Sequence, residues 1–344
     1  MFDIAVDCRE LEKDKKTGLG RILTGLLKEL SKKHISVLAI CDIMTDKDIL
    51  REILGDKVAF TTIKRKSNAY LDQLMIPLCV FGKSKRFFSI YPKFPVVLPF
   101  FGVDVFIYVA DVINFSFSQK LFLKLFGRLP KKVMTLSKAS KKKIEQIIRR
   151  KDIEVTYSDI SYVKEWEKKI DDGFAKNFGN FILYVGNFNP HKNVRTLIKA
   201  FELIKDRVDL NLVLCGGGGK KAENFQETDR VKILKGLSDG KIASLYKNCM
   251  FFVFPSFEEG IGLPGIEACY FGKAVLVSDI EVFREIFGNS AIFFDPKSPK
   301  DLAEKILTLY NSKELREIYG KKAKKVGDFF ASLDIGQKLY SIIF

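Results

Sequence analysis

Residues 250–279 constrain this chain most, because they allow very few arrangements. They read MFFVFPSFEEGIGLPGIEACYFGKAVLVSD. Met250–Ser256 is a short run of Phe and Val, which predicts a buried strand. Phe257–Leu263 carries two acids and two glycines and is read as a loop. Pro264 suits the start of a helix, where a missing N–H is harmless. Gly272 ends that helix, and Lys273–Ser278 is a second buried strand.

The chemistry of this unit lies in its turn. Gly260-Ile261-Gly262-Leu263 runs into a helix N-terminus, whose free N–H groups and dipole favour an anion. Glu259 precedes this nest and Glu267 lies one turn into the helix. Carboxylates beside an anion site repel a bare phosphate but accept hydrogen bonds from hydroxyls. Phosphate with hydroxyls on both sides describes a sugar nucleotide. A plain strand–helix turn with two solvated acids explains the same residues, since short Gly motifs are weak signals.

A wider resemblance shifts the balance. Glu259-Gly-Ile-Gly-Leu-Pro-Gly-Ile-Glu267 resembles the E-x7-E motif of family-4 retaining glycosyltransferases (glycosyl transferases group 1). Tyr184-Val-Gly-Asn-Phe-Asn-Pro-His-Lys-Asn193, Gly236-Leu-Ser-Asp239 and Ala291-Ile-Phe-Phe-Asp-Pro296 follow in the family's order. The resemblance implies the GT-B fold: an α/β protein of two Rossmann-like domains facing across a cleft. On that model residues 1–165 are the acceptor-binding domain and 166–327 the nucleotide-sugar-binding domain, with 328–344 a terminal helix returning to the first.

It also implies residue roles. Lys192 is the cation beside the leaving diphosphate, and Glu259 contacts the donor sugar; these two are the catalytic candidates. A fixed cation and aimed N–H groups stabilise charge as it develops. Gly260, Ile261, Gly262 and Leu263 offer N–H groups, Glu267 takes the ribose hydroxyls, and Leu237 and Ser238 lie near the base. Thr17-Gly18-Leu-Gly20-Arg21 matches the family's N-terminal Gly-rich loop, and Asp111 its His-Asp segment, both on the acceptor side of the cleft. Three positions depart from the family. Ala110 replaces a His, Asn187 an Arg, and His191 stands where many members have Arg, so either Arg21 or His191 supplies a second cation. No general base is named and no essential metal or other cofactor is expected; Asp46-Lys-Asp48 reads as a helix cap.

The remaining residues set the architecture. Runs at Phe2–Arg9, His34–Cys41, Lys57–Lys64, Asp104–Ala110, Lys132–Ser137 and Glu154–Ser158 read as strands. Helical patterns fall near Thr45–Leu54, Asn68–Phe81, Ser116–Phe126 and Lys138–Arg150. Such alternation predicts a parallel sheet covered by helices. In Ser116–Arg128, Leu121, Leu125, Leu129, Phe122 and Phe126 are assigned to packing on the sheet. A basic helix on a membrane surface fits the same pattern.

Charge is concentrated. Residues 51–150 hold 20 Lys and Arg against 6 Asp and Glu, a net of +14, and 12 of the 31 Phe. The other 244 residues carry only +2. A basic, aromatic-rich surface can meet an anionic membrane or a nucleic acid, or merely aid solubility. The loop Gly82-Lys-Ser-Lys-Arg-Phe-Phe88 is the expected point of membrane contact, and no nucleic-acid recognition motif is visible. Six scattered cysteines imply reduced thiols, and no secretory signal or membrane-spanning run is read, so the expected place is the cytoplasm, peripheral to the inner membrane face. The expected partners are a nucleotide sugar and a glycan or lipid-linked acceptor. A GT-B protein that has lost transfer and only binds is the alternative; a nucleic-acid-binding protein and a sugar-nucleotide epimerase rank below it.

Overall fold

The computed structural model describes residues 1–13, 17–63, 69–218 and 222–344 of the 344-residue chain. They form two compact units, residues 1–158 with 334–344, and residues 159–333.

The first unit is built on β1 (Ile4–Asp7), β2 (Val37–Cys41), β3 (Val58–Thr62), β4 (Arg86–Ser89), β5 (Asp104–Tyr108), β6 (Lys132–Thr135) and β7 (Ile153–Val155). All pair in parallel, in the order β3-β2-β1-β4-β5-β6-β7. β1 and β2 are apolar on both faces because helices cover both. The crossovers are α1 (Gly18–Lys32), α2 (Lys47–Leu54), α3 (Ala69–Val80), α4 (Phe117–Phe126) and α5 (Lys138–Ile148). One core holds alternate β5 residues, Val105 and Ile107, with Ile76 of α3, Leu123 of α4 and Ile144 of α5. Helices α3, α4 and α5 therefore share one face of the sheet. The expected cap is present: the Asp46 side chain accepts from the N–H groups of Asp48 and Ile49 at the start of α2.

Two expectations fail here. The segment 82–88 is no free loop: Arg86–Ser89 is a central strand, and Phe87 and Phe88 are wholly buried. The lysine-rich turn just before it hides a strand of four residues. In α4, Phe122 and Phe126 pack inward as expected, with Leu129 beyond it and Leu123 added to them, but Leu121 and Leu125 face solvent. Positions 64 and 68, assigned to a strand end and a helix start, lie outside the described residues.

The second unit carries β8 (Phe181–Gly186), β9 (Asn211–Gly216), β10 (Val231–Leu234), β11 (Phe252–Phe254), β12 (Val275–Ser278) and β13 (Ile292–Phe294). The sheet is again parallel, in the order β10-β9-β8-β11-β12-β13. Its helices are α6 (Val163–Glu167), α7 (Val194–Glu202), α8 (Asp239–Asn248), α9 (Leu263–Tyr270), α10 (Glu281–Phe287), α11 (Pro299–Asn311) and α12 (Lys313–Ser332). The strand–turn–helix–strand reading of 250–279 is thus β11, α9 and β12.

Residues 328–332 finish α12 in the second unit, whereas α13 (Ile335–Ile343) packs on α1 in the first. That packing depends on small residues: a Cβ at Gly336 would overlap the carbonyl oxygen of Gly25. Gly336→Ala should therefore cost about 1–3 kcal/mol through overpacking, and urea unfolding should show an earlier transition. An unchanged midpoint would contradict the close α1–α13 contact.

Candidate functional site

Strand order in the second unit reverses between β8 and β11, since the chain builds outward from β8 to β9 and β10, then returns to β11. Loops at the carboxyl ends of two such strands diverge and leave a crevice where ligands bind. The loop after β8 carries His191 and Lys192; the loop after β11 carries Glu259 to Gly262.

Asn193 joins these loops. Its backbone is left-handed (φ 55°), a conformation Asn tolerates better than most residues. Its buried Nδ2 donates to the carbonyls of Pro255 (2.9 Å) and Pro296 (2.8 Å). The N–H of Phe257 donates to the His191 carbonyl at 2.8 Å. With the backbones pinned, Lys192 Nζ reaches Glu259 Oε1 at 2.6 Å, and Ser256 Oγ donates to the same oxygen at 2.7 Å. The lysine and glutamate side chains are only 13% and 8% exposed. The ammonium also lies 5.6 Å from the centre of the Phe254 ring. Burying an ion pair to this degree is tolerable only with close geometry and further hydrogen bonds.

The glycine turn is tightly constrained. Gly262 has φ 86°, and a Cβ there would sit 2.7 Å from Phe283 Cε1. It caps α9, whose first turn includes Pro264. The N–H groups of Gly265 and Ile266 turn back to the Gly262 carbonyl. Among the described residues none accepts from the N–H of Ile261, Gly262 or Leu263. The turn thus supplies donors beside the Lys192–Glu259 pair, as its sequence predicts.

Glu267 lies within α9 and is buried. Its Oε1 accepts from the Tyr162 hydroxyl at 2.6 Å and its Oε2 from the Tyr246 hydroxyl at 2.7 Å. Tyr246, on α8, is fully buried and stacks on Phe271. Burial first, then the Glu267 charge, pushes its phenol well above its usual pKa, so it remains a donor. The same two causes raise the Cys215 thiol to about 12. Neither tyrosine is evident from the sequence, because each is isolated from the motif it serves. Leu237 and Ser238 follow β10 on the same sheet edge; Ser238 starts α8 without a side-chain cap bond. Asn187 turns its side chain on its own loop, accepting from the Asn189 N–H at 3.1 Å.

Gly18, Gly20, Arg21 and Asp111 belong to the first unit. The first three form the opening turn of α1, capped by Thr17 Oγ1 on the Gly20 N–H at 2.9 Å. Asp111 follows β5 and accepts from the Ile113 N–H at 3.0 Å. This unit has its own reversal, between β1 and β4, and a polar network there was not foreseen. Arg9 bonds Asp7 through Nε (2.8 Å) and Nη2 (2.7 Å), and Asp72 through Nη1 (2.9 Å). Glu10 accepts from Thr17 Oγ1 (2.7 Å) and the Tyr91 hydroxyl (3.0 Å). The signal was the alternation Asp7-Cys-Arg9-Glu10 at the end of an apolar strand.

Two variants test this geometry. Asn193→Ala should lower stability by about 2 kcal/mol, since it frees two buried carbonyls and retains a left-handed backbone. Tyr246→Phe should cost roughly 1–3 kcal/mol by removing a buried donor from a carboxylate. Chemical denaturation measures both, and a neutral result for either would contradict the assigned bonds.

Residues 166–326 match the family model described as glycosyl transferases group 1. The chain is 32% identical over 196 residues to the O-antigen chain mannosyltransferase of Salmonella typhimurium, covering 54% of each. It is 32% identical over 172 residues to the N,N'-diacetylbacillosaminyl-diphospho-undecaprenol alpha-1,3-N-acetylgalactosaminyltransferase of Campylobacter jejuni, covering 47% of this chain and 44% of that one. The match thus spans about half the length of these relatives. Anabaena HepE, crystallised with UDP and glucose, superposes with a TM-score of 0.73 at 16% identity, covering 99% of both chains, so the two parallel α/β sheets are those of the GT-B fold. Lys192, Glu259 and Glu267 all lie within the segment 166–326 that matches this family model.

Proposed function

We propose that this protein is a retaining glycosyltransferase that moves a hexose from a nucleotide-diphosphate sugar to a lipid-linked acceptor or a growing surface glycan. The observation that carries the reading is the Lys192–Glu259 pair at the strand-order reversal, beside the donor groups of the α9 turn. The Salmonella and Campylobacter relatives, whose names specify an O-antigen chain and an undecaprenol-linked sugar, support an acceptor of this kind.

In this mechanism the N–H groups of Ile261 to Leu263 and the Lys192 ammonium hold the diphosphate. As the sugar–phosphate bond breaks, negative charge grows where these groups already point. Glu259 orients Lys192 and accepts from sugar hydroxyls. Glu267, aligned by Tyr162 and Tyr246, accepts from the ribose hydroxyls, and Leu237 and Ser238 border the base. His191, on the Lys192 loop, adds a second cation. Attack comes from the face the diphosphate leaves, and a phosphate oxygen takes the acceptor proton. The reading needs no metal, because protein cations and dipoles meet the charge. The first unit, with Gly18, Gly20, Arg21 and Asp111, receives the acceptor, and an anionic membrane surface meets residues 51–150 from the cytoplasmic side.

A second reading is a protein that binds the nucleotide sugar without transferring it. Asn187 favours it, since its side chain serves its own turn where the resembled family has an arginine. So does Ala110, just past β5, whose side chain has no polar group to offer a sugar.

Turnover separates the two. Incubation with a panel of nucleotide sugars should release nucleotide, and proton NMR of the product should show the donor's anomeric configuration. Lys192→Met should lower kcat by about 10²–10³-fold, the effect typical of losing one charge-stabilising donor. Nucleotide binding with no release from any donor would favour the second reading.

A further inference from the structure

The outer surface of the first unit's α3–α5 layer does not resemble an ordinary solvated face. Helix α4 exposes Phe117 (82%), Leu121 and Leu125 (62%), which recur every fourth residue and so form one stripe. Lys120, Lys124 and Arg128, also exposed, form a second stripe beside it. Neighbouring elements extend the apolar surface. Leu74 and Leu78 of α3 are exposed, as are Phe100 (73%) and Phe101 in the 3₁₀ turn Leu98–Phe101.

These pieces belong to one layer. Gln73 of α3 bonds the Phe94 carbonyl and the Val96 N–H, and the Phe94 ring meets Phe122 of α4 at 5.6 Å. The Phe101 ring lies 4.8 Å from Phe81, just beyond α3. Monomeric proteins rarely expose large apolar side chains so densely without a partner.

Charge selects the partner. Residues 112–151 hold 12 Lys and Arg and one acid, Glu145, which lies 3.8 Å from Lys141; Lys131, Lys132 and Arg150 pair with Asp104, Glu154 and Asp152, while Lys120 and Lys124 stand exposed on α4. A second copy would bring the same positive face and be repelled. A nucleic acid would meet the lysines but gain nothing from Leu121 and Leu125. An anionic bilayer satisfies both stripes: phosphates for the cations, and the acyl boundary for Phe and Leu. No described helix is long and apolar enough to cross a membrane, so the contact would be interfacial.

We infer that the outer face of α3, α4 and α5 docks on an anionic lipid bilayer, inserting Phe117, Leu121, Leu125 and Phe100 while Lys120 and Lys124 bind headgroup phosphates. This rests on and deepens the proposed function, whose membrane contact over residues 51–150 it narrows to one helical face; the docking itself requires no transfer.

The test is co-sedimentation of the full chain with vesicles. Phosphatidylglycerol-containing vesicles should bind it, phosphatidylcholine vesicles should not, and salt should weaken the binding. The triple variant Phe117→Ser, Leu121→Ser, Leu125→Ser should lower the partition coefficient at least tenfold, with melting temperature and nucleotide release unchanged. Lys120→Glu with Lys124→Glu should abolish the preference for anionic lipid. Equal binding of the triple variant, equal binding to both lipids, or a wild-type dimer dissolved by the triple variant would overturn the inference. Vesicle binding lost in the variant, alongside no nucleotide release by either protein, would uphold docking and defeat transfer instead.

Discussion

An ammonium and a carboxylate nearly sealed from water govern the second unit. Lys192 and Glu259 come from loops that follow β8 and β11, far apart in sequence, and meet at 2.6 Å. Burying two charges costs several kcal/mol each unless they pair and find further hydrogen bonds. Ser256, Asn193 and the glycine turn are the residues that make such burial tolerable. Asn193 fixes two loop carbonyls, Ser256 donates to the shared oxygen, and Gly262 lets the chain turn against Phe283 and Phe254. Removing either member would leave an unpaired buried charge, so the pair also fixes the loops that carry it.

A second carboxylate follows the same logic with neutral donors. Glu267 is held by two phenols, one fully buried on α8 and one beside α6. Helices α8 and α9 are thereby tied through the residue assigned to the ribose. Binding in this account would not organise a loose site; it would use groups already aimed, which limits the ordering cost of a ligand.

How much of this could be read from the sequence depended on how local each interaction is. The β11–α9–β12 unit was legible because strand, turn and helix signals occur within thirty residues, and glycine, proline and acid each have a local reason. Parallel sheets were legible from the alternation of apolar runs and helical patterns. Strand β4 was missed because four residues directly after a lysine-rich turn give no periodic signal. The outward turn of Leu121 and Leu125 was missed because both stripes of α4 have the same spacing, and only the sheet beneath decides which is covered. Tyr162, Tyr246, Asn193 and the Arg9 network were missed because each is completed by a residue distant in sequence.

The two units use one device twice, a parallel sheet whose strand order reverses next to a glycine-bearing turn. In the second unit the polar groups at that reversal match an anion flanked by hydroxyls. In the first, Arg9 is already paired with Asp7 and Asp72, and Glu10 with Thr17 and Tyr91, so the cluster satisfies its own charges. The most direct test of the central claim is a crystal structure of the protein with a nucleoside diphosphate. The account predicts phosphate oxygens about 2.7–3.1 Å from the Leu263 N–H and Lys192 Nζ, with the ribose hydroxyls on Glu267. A diphosphate bound elsewhere, with the Lys192–Glu259 pair untouched, would contradict it.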